Sequence, residues 1–292
     1  MSSLIKLFKK FPTEESCIEF LENIRWKDGV ICVYCGSNKT CQHNEKNRRN
    51  RHQCQDCGKS FKVTVGTIFH NTKLDLRKWF WMISMMLNAK KGISACQVAR
   101  ELEMRRPTVW LKMHQIRSAM NTEQKELLTG IFEMDETYVK TTKDDDKNGK
   151  GGFGGGRSTK NNTPVVGIKQ KNGNIKAFAT NDTKYNTLAE IAMNTAEHGS
   201  EFHTDQYSSY RNFKLYYKHK TVNHSMEYVT HDKIHCNSVE GFWSLLKRGI
   251  KGQFHHISKK YLQSYVTEFE FRYNNRENEF VFSDVVGKLL GC

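Results

Sequence analysis

Two Cys-x-x-Cys pairs near the start of the chain constrain its fold most strongly. The pairs are Cys32 with Cys35 in CVYCG and Cys54 with Cys57 in CQDCG, and residues 36–53 separate them. A glycine follows each pair, so both pairs can lie on tight turns and present four sulfurs to one tetrahedral ion. Four protein ligands leave no open position, so we predict a zinc ribbon whose Zn²⁺ is structural. Disulfides are the alternative, but nine cysteines in 292 residues is an odd number.

The charge of the chain indicates a polyanionic partner. Its formal net charge is +15 and its pI is near 9.3, with Lys and Arg spread along the whole length. Such an excess favours nucleic acid as the partner, with an ordinary basic protein as the alternative. The start, MSSLIKLFKK, has lysines inside its apolar stretch, and the longest apolar run, 79–87, is too short for a bilayer. We expect a soluble intracellular protein without a membrane partner.

Two loops carry basic residues that suit a phosphate backbone. The loop between the cysteine pairs contains Arg48, Arg49 and Arg51, and a later glycine-rich stretch contains Arg157 and Lys160. On a ribbon the first set would contact phosphates, although a solvated loop explains any one of these residues equally well. The second stretch lacks the GxxxxGK[ST] pattern, so it is not a nucleotide-binding loop.

The region from 73 to 126 is patterned as helices. A short break at 105–107 separates SACQVARELEM from TVWLKMHQIRSAM, and the second helix carries Lys112 and Arg117. Two helices joined by a tight turn match a helix-turn-helix outline, in which the second helix would contact DNA. A helix pair that is merely packed is the alternative.

Strand patterning begins after Gly130. The run IFEMDETYV, 131–139, is rich in strand-forming residues and has Asp135 at its centre. An aspartate in mid-strand is unfavourable for strand propensity and for burial, which favours a functional role. The alternative is an edge strand whose aspartate faces water.

The order of the later elements predicts the fold class. A hairpin follows, then a helix, the short strand EFHTD ending at Asp205, another strand, and two helices, the first beginning near Asn237. This is the order of an α/β domain with a ribonuclease-H-like core, a mixed sheet flanked by helices. In that fold the first strand and the end of the fourth lie adjacent, and a later helix begins nearby. Asp135, Asp205 and Glu240 occupy those three places.

Three converging carboxylates predict a divalent metal site. Their charges repel one another unless cations neutralise them. Oxygen ligands suit Mg²⁺ or Mn²⁺, and we expect two such ions per active site. Two ions about 3.5–4 Å apart can activate a water or a 3′-hydroxyl and stabilise the leaving oxygen at phosphorus.

The helix from Asn237 also has a purely structural explanation. Asn237-x-x-Glu240 is a capping box, in which the glutamate only stabilises the start of the helix. The helical pattern predicts a buried stripe of Val239, Phe242, Trp243, Leu246 and Ile250. Glu240 shares a separate polar stripe with Lys247 and Lys251, and Arg248 is adjacent. A carboxylate and cations on one side of a helix suit a metal-held phosphate and its flanking DNA backbone.

The motifs taken together resemble a known family. From about Glu14 to Arg276 the chain is similar to the DDE transposases of bacterial insertion sequences related to the eukaryotic Merlin superfamily. The similarity rests on CVYCG, CQDCG, VTVGTIF, KWF, MDETYV, TDQYSSY, HKTVNHS, HCNSVEGFWSLLKRG and FRYNNR, in this order. It implies that Asp135, Asp205 and Glu240 form the catalytic triad. The implied activity is metal-dependent DNA cleavage at transposon ends and strand transfer into target DNA.

The resemblance also implies supporting residues, partners and a location. His235 and Asn237 match the family pattern just before the glutamate. His235 or His224 would assist proton transfer, since histidine titrates near neutrality, or would form structural hydrogen bonds. We expect double-stranded DNA as the partner, both terminal inverted repeats and target, with a homodimer or larger assembly on it. The expected location is the bacterial cytoplasm, on the nucleoid.

The sequence predicts three segments. They are an N-terminal helix and zinc ribbon (1–72), a helix-turn-helix-like region (73–126) and a catalytic domain with C-terminal helices (127–292). Two rival functions remain open: a non-catalytic zinc-ribbon and helix-turn-helix regulator that only binds DNA, and a ribonuclease-H-type nuclease that does not transfer strands.

Overall fold

The computed structural model describes residues 4–43, 50–121, 127–142, 162–221 and 237–291, with Asn237 described by its backbone alone. Residue contacts divide the chain into two units. The first comprises Met1–Ala89, Ala95–Met120 and Glu277–Cys292, and the second comprises Lys90–Ser94 and Asn121–Arg276. Across these described ranges, no helix is both long and apolar enough to cross a membrane.

Helices precede, separate and follow two groups of strands along the chain. The helices are α1 (Leu4–Lys10), α2 (Glu14–Arg25), α3 (Leu76–Asn88), α4 (Ala95–Glu101), α5 (Arg106–Met120), α6 (Tyr185–Met193), α7 (Asn237–Gly249), α8 (Lys259–Asn274) and α9 (Val281–Leu290). The strands are β1 (Thr40–Gln42), β2 (His52–Cys54), β3 (Ser60–Phe61), β4 (Ile131–Lys140), β5 (Asn162–Gln170), β6 (Ile175–Ala179), β7 (Glu201–Thr204) and β8 (Lys218–Thr221). A 3₁₀ helix spans Ser208–Leu215, and a π-helical turn spans Ile250–Phe254.

The first unit contains a small sheet and a group of helices. Strands β1, β2 and β3 pair antiparallel in that order. The helices share an aromatic core in which Phe11, Phe80 and Phe282 make edge-to-face or tilted ring contacts. Because Phe282 lies on α9, the last helix belongs to this unit, whereas the predicted third segment runs to residue 292. Helices α4 and α5 pack together across a short turn, as the helix-turn-helix outline requires.

The second unit is built on a five-stranded mixed sheet in the order β6-β5-β4-β7-β8. Strand β4 pairs antiparallel with β5 and parallel with β7, and β7 pairs parallel with β8. This order, with helices between and after the strands, is the ribonuclease-H-like arrangement predicted from the sequence. The first strand of the sheet and the fourth are therefore neighbours, as predicted.

Strand β4 lies at the centre of this sheet and sends alternate side chains into two hydrophobic cores. Val139 belongs to the core that includes residues of α7 and α8. Phe132 and Met134 belong to the other core, with residues of α6 and the 3₁₀ helix. Since β4 is bonded on both sides, Asp135 lies in a central strand, and the edge-strand alternative is wrong.

Two glycines of α7 test this packing. A Cβ atom at Gly249 would collide with the ring of Phe269 and lie 2.5 Å from the carbonyl oxygen of Lys91, whereas no described atom lies within 4 Å of one at Gly241. We expect Gly249→Ala to lower the free energy of unfolding by about 1–3 kcal/mol through overpacking. We expect Gly241→Ala to raise it by about 0.5–1 kcal/mol, because alanine is the better helix former. Denaturant unfolding followed by circular dichroism measures both, and equal effects would contradict the packing described.

Candidate active site and metal centre

The two cysteine pairs converge in the first unit. The Sγ atoms of Cys32, Cys35, Cys54 and Cys57 all lie within 4.8 Å of one another, with Cys32 to Cys57 at 3.7 Å and Cys35 to Cys54 at 3.5 Å. Tetrahedral Zn²⁺ with Zn–S bonds of about 2.3 Å needs sulfurs roughly 3.8 Å apart, so the set fits zinc. Backbone N–H donors, first that of Cys57, lower the pKa of the Cys54 thiol to about 7. The thiolate is the form that binds the ion. At Cys35 the backbone N–H of Ser37 lowers the pKa, but the hydrogen bond with the Cys54 thiol and burial outweigh it and raise the pKa to about 12, so Cys54 forms its thiolate more readily than Cys35.

Zinc content gives a direct test of this centre. We expect about one Zn²⁺ per chain, lost in Cys57→Ser because a hydroxyl is a poor zinc ligand. Cys41→Ser is the matched control, since Cys41 is an exposed cysteine of the same ribbon outside the four-sulfur cluster. Elemental analysis of the purified variants measures the ion. Equal zinc in the two variants would contradict the assignment.

Asp135 lies in mid-β4, directly opposite Gly167 of β5. Its Oδ2 accepts a hydrogen bond of 2.9 Å from Nε1–H of Trp243, on α7. Burial, which is the largest cause, and the charges of Asp205 and Glu240 together raise the pKa of the Asp135 carboxyl to about 6, against the lowering effect of the Trp243 hydrogen bond. Asp205 and Glu240 therefore lie close enough to Asp135 for their charges to act on its carboxyl.

Asp205 follows the last residue of β7, beside β4. The register pairs Glu133 with His203, so Asp205 and Asp135 each lie two residues farther along adjacent parallel strands. Oδ1 of Asp205 accepts the backbone N–H of Tyr207 at 2.9 Å, which holds the turn after the strand. This agrees with the predicted position at the carboxyl end of the fourth strand.

Glu240 is exposed in the first turn of α7, and a different glutamate holds that turn. Glu133 of β4, which is only 2% exposed, accepts the backbone N–H of Ser238 at 3.0 Å and that of Val239 at 3.3 Å. It also accepts the hydroxyl of Ser238 at 2.9 Å. A carboxylate at a helix N-terminus satisfies free amide groups and complements the helix dipole. The structural explanation of Glu240 as the helix brace is thereby weakened, because the sheet supplies this acceptor.

The carboxylates interact through charge but do not converge as tightly as the sulfurs. In the described part of the chain, the cysteine set is the one group of three or more Cys, His, Asp or Glu ligand atoms within 4.8 Å of one another. The donor set of Asp135, Asp205 and Glu240 still fits Mg²⁺ or Mn²⁺, since both ions take carboxylate oxygens. A bound cation would also offset the burial and like charge that raise the pKa of Asp135.

The cations predicted on α7 are exposed on the same helix as Glu240. Lys247 and Arg248 lie in its last turn and Lys251 lies in the π-helical turn that follows. The predicted buried stripe is confirmed, with Val239, Phe242, Trp243, Leu246 and Ile250 all buried. Their contact with a DNA backbone stays a prediction.

The cations predicted in the first unit have mixed placements. Arg51 donates from Nε to Oγ of Ser60 at 3.1 Å and remains partly exposed. Lys112 is partly buried, with its Nζ 4.8 Å from the ring centroid of Trp79. Arg117 is only 2% exposed, so its guanidinium cannot reach a phosphate. We reassign Arg117 from DNA contact to helix packing.

Several predicted residues lie outside the described ranges. They are Arg48, Arg49, Arg157, Lys160, His224 and His235, and the side chain of Asn237. Their predicted roles stay predictions.

The sequence reasoning missed Glu133, Gly167 and the polar role of Trp243. Glu133 had a signal in the sequence: it stands two residues before Asp135, so it shares its face of the strand. Gly167 and Trp243 gave no such signal, because their contact joins residues 76 positions apart.

A four-cysteine ribbon and a ribonuclease-H-like sheet with clustered carboxylates define the class of zinc-ribbon DDE transposases. Residues 127–274 match the family model for the ISXO2-like transposase domain, and residues 12–60 match that for the transposase zinc-ribbon domain. The chain therefore belongs to the ISXO2-like transposase family, and the predicted resemblance to DDE transposases of insertion sequences is confirmed.

The chain is also similar to individual proteins and to solved structures. A protein of Halobacterium salinarum, called an uncharacterized protein in transposable element ISH50, is 25% identical over 277 residues, covering 90% of this chain and 92% of its own length. An uncharacterized transposase-like protein of Haemophilus influenzae is 29% identical over 92 residues, covering 31% of this chain and 73% of its own. The crystal structure of a pre-cleavage Mos1 transpososome superposes over 72% of this chain and 77% of that chain, at 12% identity. The TM-score of this superposition is 0.29.

The raised pKa of Asp135 predicts a pH-dependent stability in the absence of divalent ions. Its pKa rises from 3.8 to about 6 on folding, so the folded chain binds the proton more tightly and loses stability as the pH rises through this range. Asp135→Asn removes this loss. We expect the variant to gain up to about 3 kcal/mol relative to the wild type between pH 4 and pH 7, at about 1.4 kcal/mol per pKa unit.

Asp182 provides a control of opposite sign. The backbone N–H of Lys184, first, and the hydroxyl of Thr187 lower the pKa of its carboxyl. Asp182 therefore contributes stability above its unfolded pKa, and Asp182→Asn should fall further below the wild type as the pH rises. Thermal unfolding across the pH range measures both differences, in a buffer without Mg²⁺ or Mn²⁺ and without a chelator that would remove the zinc of the ribbon. A difference for Asp135→Asn that does not change with pH would contradict the burial and charge described.

Proposed function

We propose that this transposase cleaves DNA at transposon ends and joins the freed 3′ ends to target DNA, with Asp135, Asp205 and Glu240 as its catalytic triad. One observation carries the proposal: the charges of Asp205 and Glu240 act on the buried carboxyl of Asp135 in mid-sheet. Three carboxylates gathered where two strands and a helix meet are unfavourable without cations.

The chain's residues have separable roles in this proposal. Asp135 and Asp205, fixed by adjacent strands, would hold the divalent ions, and Glu240 would complete the coordination from α7. Two bound Mg²⁺ or Mn²⁺ ions would supply activation of the attacking oxygen and stabilisation of the leaving oxygen. Lys247 and Lys251 would neutralise the backbone phosphates on either side of the reacting one.

Two successive in-line displacements complete the reaction. In the first, the oxygen of water displaces the 3′ oxygen from phosphorus at the transposon end and leaves a free 3′-hydroxyl. In the second, that hydroxyl displaces a 3′ oxygen from a target phosphorus, so that the number of phosphodiester bonds is conserved. His235 or His224 would take or return the proton. Because two transposon ends must be joined to one target, we propose that the chain acts as a dimer or larger assembly.

The proposal is tested with purified protein, DNA from the flanks of its own gene and Mg²⁺ or Mn²⁺. We expect wild type to join a pre-cut end to a target plasmid, and Asp135→Asn, Asp205→Asn and Glu240→Gln each to lower joining by ~100-fold or more, since each removes a metal ligand. Glu190→Gln, at an exposed glutamate of α6, is the matched control and should join DNA as wild type does.

The same assay separates the rival functions. Cleavage without a joined product would indicate a ribonuclease-H-type nuclease. DNA binding that persists in the three triad variants, with no metal-dependent cleavage by the wild type, would indicate a regulator that only binds DNA. If Glu240→Gln joined DNA as well as the wild type, the proposed triad would be wrong.

A further inference from the structure

Trp243 makes one contact that a residue of a hydrophobic stripe does not need. It is buried, 4% exposed, and belongs to the hydrophobic core between the sheet and α7. Its Nε1–H also donates to Oδ2 of Asp135 at 2.9 Å. A buried indole N–H needs a hydrogen-bond partner, and a carboxylate oxygen is a strong acceptor.

Gly167 provides the space for this indole. It lies directly opposite Asp135 in the β4–β5 register. A Cβ atom there would lie 2.7 Å from Cζ2 and 2.8 Å from Cη2 of Trp243, closer than atoms pack. A glycine in the middle of a buried strand weakens the strand, and close approach of another group is a recognised reason for one. The indole thus occupies the space that a side chain opposite Asp135 would fill.

The indole hydrogen bond joins β4 and α7, the two elements that carry Asp135 and Glu240. Trp243 stands three residues after Glu240 on α7, and Asp135 stands two residues after Glu133 on β4. The backbone N–H groups of Ser238 and Val239 donate hydrogen bonds to the carboxylate of Glu133. Helix α7 is therefore attached to β4 at its first turn, and a second time by the hydrogen bond from Trp243 to Asp135. Two attachments along one helix oppose both sliding and rotation of the helix against the strand.

We propose that Trp243 is a positioning residue, whose indole N–H holds one carboxylate oxygen of Asp135 and so fixes the metal-binding geometry of Asp135 and Glu240. This inference rests on the proposed function of those two carboxylates. Because Oδ2 of Asp135 accepts the indole N–H, the carboxylate has a defined orientation. The same hydrogen bond fixes the position of α7 relative to β4. Metal sites need ligands held to about 0.5 Å, and residues that orient the ligands change metal affinity by roughly 10–100-fold.

Trp243→Phe is the variant that tests the proposal, since it keeps an aromatic ring and removes the donor. Phe242→Leu is the matched control: Phe242 is the buried neighbour of Trp243 on α7 and has no polar atom, so it reports lost packing alone. Isothermal titration with Mn²⁺ measures affinity in the wild type, both variants and Asp135→Asn. We expect Mn²⁺ affinity to fall about 10-fold or more in Trp243→Phe. We expect it to stay within about 2-fold of wild type in Phe242→Leu, whose packing loss alone moves no metal ligand.

A spectroscopic signature provides a second readout that a packing role would not give. Trp243 is the one tryptophan of the second unit, since Trp26, Trp79, Trp81 and Trp110 lie in the first. Its indole ¹⁵N–¹H signal is assigned by its loss in Trp243→Phe. We expect the chemical shift of this signal to change in Asp135→Asn. We also expect it to be the first of the five tryptophan indole signals to broaden as paramagnetic Mn²⁺ is added.

The outcomes distinguish this inference from the function on which it rests. Wild-type Mn²⁺ affinity in Trp243→Phe, or an equal loss in Phe242→Leu, overturns the positioning role and leaves the proposed triad intact. An indole signal indifferent to both Asp135→Asn and Mn²⁺ overturns it as well. Mn²⁺ affinity that is unchanged in Asp135→Asn overturns the proposed triad itself, and the positioning role with it.

Discussion

The hydrogen bonds between Glu133 and the first turn of α7 hold together the parts on which the proposed active site depends. A buried carboxylate is unfavourable without donors, and the first amide groups of a helix are unfavourable without acceptors. Here the first amide groups of α7 donate to the carboxylate of Glu133, so both the donors and the acceptor are satisfied. Because Glu133 lies in the central strand, this interaction fixes where α7 begins over the sheet, and with it the position of Glu240 one turn into the helix.

Two carboxylates on one face of β4 have different surroundings and therefore different properties. Glu133 receives three hydrogen bonds from Ser238 and Val239 at the start of a helix. Asp135, two residues along, receives one from a side chain, that of Trp243, and feels the negative charges of Asp205 and Glu240, so its pKa is raised. The first carboxylate suits a structural role, and the second suits a cation.

The two candidate metal sites of the chain use different ligand types, sulfur in the first unit and carboxylate oxygen in the second. Four sulfurs in the first unit form a closed set that matches Zn²⁺, where the ion would stabilise a ribbon with few hydrophobic residues of its own. The carboxylate oxygens of the second unit match hard divalent ions that exchange water and phosphate readily. Thiolates select zinc and carboxylates select Mg²⁺ or Mn²⁺, so the two centres do not compete for one metal.

Local patterns in the sequence were enough to predict the zinc ribbon, the order of the strands and helices, the mixed sheet and the buried stripe of α7. These patterns are of short range: the spacing of Cys pairs, strand alternation and helical periodicity. They also marked Asp135 as unusual, because a charged residue in a predicted strand conflicts with burial. The roles of the three carboxylates stay proposals.

Tertiary packing determined which polar groups form hydrogen bonds with one another. The capping box at Asn237 and Glu240 is a local pattern, yet the acceptor for the first turn of α7 is Glu133, more than 100 residues earlier in the chain. The pattern of α5 placed Arg117 beside Lys112 as a DNA contact, and packing of the helices buried it. Gly167 leaves a space in β5 that the indole of Trp243 fills, a contact between residues far apart in the sequence. Such pairings depend on the three-dimensional register of strand against helix, which no local spacing in a sequence encodes.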